Sequence, residues 1–124
     1  MKYLIMLYSN QALRDYWMSI PEDQRTAGGH HELIQKLNET GALIVSEALP
    51  GPDAGKRVSV RDGQVTATSA TDGPYAEVKE FLAGFYLIEC ESEQRAIEYA
   101  GMLPEAEWGM VEVRPILDLS AIGL

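Results

Sequence analysis

The 124-residue chain is short of the residue types from which most active sites are assembled. It has one cysteine, Cys90, and two histidines, His30 and His31. A lone thiol excludes a disulfide within the chain and a zinc site built from the cysteines of one copy. Cys90 lies between Glu89 and Glu91 in a segment that reads as a strand, a setting for a packed rather than a reactive thiol. Basic charge is scarce: 10 Lys and Arg face 19 Asp and Glu, for a net charge of −9. Residues 1–71 carry 7 basic and 8 acidic side chains, whereas residues 72–124 carry 3 and 11. Such a field repels phosphate and no run of Lys or Arg offsets it, so neither direct nucleic-acid binding nor an anionic membrane surface is expected. No apolar run approaches the roughly 20 residues that span a bilayer. The segment Met1–Tyr8 lacks the small-residue cleavage site of a secretory leader. A cytoplasmic location is therefore expected. Adjacent histidines on a helix point about 100° apart, and neither has a His partner at i+4. No metal site is expected, nor any cofactor, since there is no phosphate-cradling Gly-rich loop and no nucleophile elbow.

What the chain does have is the composition of one globular domain over residues 1–124, 46% apolar and 23% charged. Residues 2–8 are apolar on both strand faces, with Tyr3, Ile5 and Leu7 on one side and Leu4, Met6 and Tyr8 on the other, so that strand needs cover twice over. Residues 10–19 suit a short helix or loop. Pro21 to Thr40 is helical in pattern and stopped by Gly41, with Gly28-Gly29 predicting a kink or two pieces. A strand over 42–49 follows, then turn residues through Gly55. Residues 57–61 and 64–68 flank Asp62-Gly63, the signature of a two-residue hairpin. A strand over 84–90, a helix from Ser92 to about Leu103 and a strand over 110–117 complete the chain. Without the hairpin, the order is strand, helix, strand, strand, helix, strand. This predicts an α+β, ferredoxin-like split βαβ sandwich with helices on one sheet face and an inserted β-hairpin. The uncovered apolar face predicts a homodimer packed sheet against sheet; the alternative is the hairpin folding back over that face.

The densest local feature is Asp72-Gly73-Pro74-Tyr75-Ala76-Glu77-Val78-Lys79-Glu80. Gly73 and Pro74 make a pre-set turn, Asp72 can accept bonds from backbone N–H groups after it, and Pro74 suits the first position of a short helix. Together with Gly84-Phe85-Tyr86-Leu87-Ile88-Glu89, this stretch resembles the YCII-related family, specifically its DGPF-type branch, with Tyr75 where the branch has Phe. Met1 to Tyr8 resembles the family's opening strand and Val111 to Pro115 its closing one. The resemblance implies a dimeric α+β barrel.

His30, Leu33, Ile34 and Leu37 share one helix face, which on spacing alone suits a core histidine bonded to the backbone; His31 points to the surface. The resemblance implies more. In the wider family a helical His eleven residues before the helix-ending Gly, here His30 before Gly41, pairs with an Asp just before a Pro. This chain has Leu103 before Pro104. Asp72 is the expected substitute, orienting the imidazole for general acid or base work near neutral pH. Tyr75, Lys79 and Glu80 would line the same pocket. Glu112, Arg114 and Glu47 fall on the strand faces away from the helices, where charges must be paired or wet, and Arg114 suits bidentate capture of a carboxylate. The expected function is small-molecule acid–base chemistry of a lyase or isomerase kind. The alternatives are a regulatory module linked to transcription through protein contacts, and a ligand-binding protein without turnover.

Overall fold

The computed structural model describes residues 1–25, 28–70 and 79–124. Strand β1, Lys2–Ser9, buries Tyr3, Ile5 and Leu7 and leaves Leu4, Met6 and Tyr8 half-buried on the other side. Asn10 accepts from the Leu13 N–H and starts helix α1, Gln11–Ser19. A 3-10 turn, Glu22–Gln24, precedes helix α2, Gly29–Glu39, which buries Leu33 and Leu37. The helical pattern from Pro21 is thus realised in two pieces. Gly28 stands between them with φ +54° and ψ −139°, a conformation that glycine adopts because it has no Cβ.

Strand β2, Leu43–Ala48, is followed by β3, Lys56–Arg61, and β4, Gln64–Ser69. Asp62 and Gly63 both take positive φ between β3 and β4, as the tight hairpin turn requires. Strand β5, Phe81–Glu89, begins three residues earlier than the sequence suggested. Ser92 caps helix α3, Glu93–Ala100, by accepting from the Arg95 N–H. This helix stops before Leu103, because Pro104 opens a separate 3-10 turn, Pro104–Trp108. Strand β6, Val111–Pro115, leads to a last 3-10 turn, Leu119–Ile122. The turn and short helix expected at Asp72 to Pro74 lie outside the described residues.

The main sheet has the order β2-β5-β1-β6 and is antiparallel throughout. With α2 between β1 and β2 and α3 between β5 and β6, this is the ferredoxin-like split βαβ arrangement. Ile5, Ile88, Leu33, Leu37 and Leu103 are the largest fully buried side chains, in a core shared with Tyr3, Tyr86 and Tyr99. Each such aliphatic side chain contributes roughly 1.5–3 kcal/mol by leaving water.

The opposite sheet face is a ladder of neighbours: Val45 beside Leu87 beside Leu4 beside Arg114, and Glu47 beside Phe85 beside Met6 beside Glu112. Its centre is apolar and its two edges carry the charges. The hairpin of β3 and β4 does not fold back over this face. It forms a sheet of its own, and Val58, Val60 and Val65 stand well exposed.

Candidate functional site

His30 is the second residue of α2, and glycine decides where that helix begins. A Cβ added to Gly29 would lie 2.5 Å from the Met102 carbonyl oxygen and 3.2 Å from Pro104 Cδ. The first turn of α2 therefore rests on the chain leaving α3 at a distance only glycine allows. That approach carries His30 to the 3-10 turn, where Nε2 lies 2.6 Å from Glu105 Oε1. From below, Tyr86 on the helix-facing side of β5 brings its hydroxyl to 2.6 Å from Nδ1. The two rings lie near parallel, 17° apart with centroids 6.0 Å apart. Tyr86 is buried, while the His30 and Glu105 side chains keep about a quarter of their surface in solvent (26% and 25%).

The electrostatics sort the protons. Burial, together with the negative charge of Glu105, pushes the Tyr86 phenol up to about 12, so it stays protonated. A buried hydroxyl has to place its hydrogen, and among the described residues His30 Nδ1 is its partner. Nδ1 is then the acceptor, the ring carries its hydrogen on Nε2, and that N–H donates to Glu105. Burial alone would raise the Glu105 carboxyl; the hydrogen bond from His30 and the backbone N–H of Glu105 itself outweigh it and hold the group below its ordinary value. Its second oxygen, Oε2, is buried without a partner among the described residues.

The resulting chain of carboxylate, imidazole and phenol can move a proton. The Tyr86 phenol keeps its proton, so the imidazole is the group that gains or loses one, with Glu105 balancing an imidazolium. Because both ring nitrogens are engaged at rest, a substrate group must take one partner's place.

The sequence pointed to His30 and missed the two groups that hold it. The carboxylate sought before Pro104 stands directly after it, where the 3-10 turn folds Glu105 back toward α2. Tyr86 was legible as an inward position of β5, alternating with Gly84 and Ile88, and a buried tyrosine announces a partner for its hydroxyl. Asp72 and Tyr75 lie outside the described residues, and the carboxylate at His30 is that of Glu105. Lys79 and Glu80 are exposed just before β5. Glu47 and Arg114 lie on the outer sheet face, with the sheet between them and His30. Arg114 clamps Glu112 through Nη2 at 2.6 Å and Nε at 2.8 Å, and Tyr8 donates to the other Glu112 oxygen at 2.9 Å. The Arg114 and Tyr8 hydrogen bonds hold the Glu112 carboxyl below its ordinary value.

Two open hollows, of about 450 and 320 Å³, lie along α3 and β6 and beside Pro50 and Phe81; neither is lined by His30. Among the described residues, no group of three or more His, Cys, Asp or Glu side chains could hold a metal ion. No helix among them is long and apolar enough to cross a membrane.

Comparison with known proteins agrees with this architecture. The YCII-related domain model matches residues 1–120. An uncharacterized protein of Rhizobium meliloti (strain 1021) is 34% identical over 118 residues, covering 94% of this chain and 92% of the relative. A family model spanning nearly the whole chain and a relative aligned end to end lead to one conclusion: the chain belongs to the YCII-related domain family.

Proposed function

We propose that this protein, of the DGPF-type branch, performs acid–base chemistry on a small molecule in the cytoplasm, with His30 as the proton carrier. Glu105 is its counter-charge and Tyr86 the group that orients its ring. The observation behind this is the unbroken hydrogen-bonded chain from Glu105 through His30 to Tyr86, two contacts of 2.6 Å, at a site partly open to water. A reaction that removes a proton next to a carbonyl and returns it elsewhere, of lyase or isomerase type, uses these parts and needs no metal. Glu47 and Arg114 belong to the outer sheet face, and the charge of Glu80 acts on Tyr8 of that same face. There Leu4, Met6, Val45, Phe85 and Leu87 form an apolar layer, and we assign its cover to a second copy of the chain, sheet against sheet.

The test is deuterium uptake from heavy water into a panel of small keto acids and unsaturated lactones, followed by proton NMR. The wild-type protein is expected to accelerate exchange in at least one compound, and His30→Gln to lose that acceleration by 100-fold or more, a typical worth of a general acid or base of about 10²–10⁴-fold. Equal rates with the two proteins would overturn the assignment.

A further inference from the structure

We propose that the β3–β4 hairpin is an arm that clasps a second copy of this chain; the inference rests on the sheet-to-sheet pairing proposed above and extends it. The hairpin is amphipathic by register. Val58 pairs with Ala67 and Val60 with Val65, which puts all four on one face, while Arg57, Ser59, Arg61, Gln64, Thr66 and Thr68 share the other. On the apolar face Val58, Val60 and Val65 are 66%, 67% and 71% exposed. A two-stranded hairpin left in water is marginally stable at best and needs further strands or a packed face. Among the described residues, β3 and β4 join no strand of the main sheet.

Three observations select a twin as the missing cover. The first is charge. Residues 56–69 contain Lys56, Arg57 and Arg61 against Asp62, a net +2, so the rest of the chain carries −11. By the same alternation Lys56 lies on the valine face, where a cation is complementary to the acidic body of another copy. The second is position. The arm is closed at its base by the Ala70 N–H donating to the Gly55 carbonyl at 3.1 Å. It leaves from the end of edge strand β2, where Ala48 pairs with Gly84, beside the sheet face assigned to the twin.

The third is area. The main-sheet strands of 8, 6, 9 and 5 residues present a flat footprint of about 440 Å², taking strand spacing and rise as ~4.8 and ~3.3 Å. The two arm strands of 6 residues add about 190 Å² on the same basis. In a two-fold pair each subunit both gives an arm and receives one, which nearly doubles the planar footprint of the contact, to about 820 Å² per subunit.

The experiment is sedimentation equilibrium of the full chain over a concentration series, comparing wild type with Val58→Thr/Val60→Thr/Val65→Thr. Threonine keeps the β-branched shape and removes the apolar surface. The expected result is a wild-type dimer and at least tenfold weaker association in the triple variant, with unchanged far-UV circular dichroism. A triple variant that dimerises as tightly as wild type overturns the arm and leaves the sheet pairing standing. A wild-type protein that stays monomeric throughout overturns both. Should the triple variant fail to fold, a photo-crosslinking side chain at position 65 of the otherwise native chain decides: covalent dimers support the arm, and their absence from a sedimenting dimer overturns it.

Discussion

Alanine at position 29 should harm this protein, although alanine in place of glycine in a helix ordinarily helps. The ordinary gain is at most about 1 kcal/mol, and less in the first turn. Against it stands the Met102 carbonyl oxygen, 2.5 Å from where the new methyl carbon would sit, when ordinary contacts begin near 3.4 Å. The obstacle is backbone, so α2 or the chain leaving α3 must move by nearly 1 Å. Forcing a methyl group into a packed contact costs typically 1–3 kcal/mol. The same displacement stretches the His30 contacts, now 2.6 Å each, beyond hydrogen-bonding range, a further loss of about 1 kcal/mol apiece. The net expectation is a destabilisation of about 2–4 kcal/mol, read in thermal unfolding as a fall of roughly 8–16 °C for a domain of this size. Nuclear magnetic resonance should show the His30 ring released from Tyr86. A Gly29→Ala protein that melts at or above the wild-type temperature would refute the claim that glycine seats the helix against the 3-10 turn.

Tyr86→Phe removes one hydroxyl from the buried end of the site and leaves Nδ1 to whatever water reaches it, for a cost of about 1 kcal/mol or a fall of about 4 °C in thermal unfolding; an unchanged melting temperature would contradict the hydrogen bond. The pH dependence has two limbs. Because the Glu105 carboxyl is held below its ordinary value of 4.5, the folded state binds the carboxylate form: this stability is present above 4.5 and lost as pH falls through the lowered value. Denaturant titrations of Glu105→Gln should show a shallower acid limb than wild type. The Tyr86 phenol moves the other way, from 10.0 to about 12, so its contribution is intact below pH 10 and disappears as pH climbs toward 12. Tyr86→Phe should flatten that alkaline limb, and an identical slope in both proteins would count against the shift.

Much of the fold was legible because its signals are local. Asp62-Gly63 dictates the hairpin, Ser92 marks the start of α3, and the two-sided apolar pattern of residues 2–8 marks a strand with neighbours on both faces. The strand order follows once those elements alternate. The site was half legible. Spacing put His30 on the inner face of α2, but its partners come from 56 and 75 residues away, and no local pattern encodes such a meeting. The family pattern has a carboxylate before Pro104, where this chain has Leu103, and Asp72 is the expected substitute; the carboxylate at His30 comes from the 3-10 turn that Pro104 opens. The hairpin stands apart from the main sheet, so the alternative of its folding back over that face does not hold; composition shows that its valines want a partner and is silent on which molecule supplies it.

The central claim is that Tyr86 donates to His30 at Nδ1 while the ring donates to Glu105 from Nε2. Two-dimensional nitrogen–proton correlation of the imidazole in uniformly labelled protein near neutral pH tests it directly. A bare Nδ1 and a protonated Nε2, the latter with its proton shifted far downfield, are the predicted pattern. A hydrogen on Nδ1, whether in the opposite tautomer or in a ring protonated at both nitrogens, would contradict it and dissolve the arrangement on which the proposed chemistry depends.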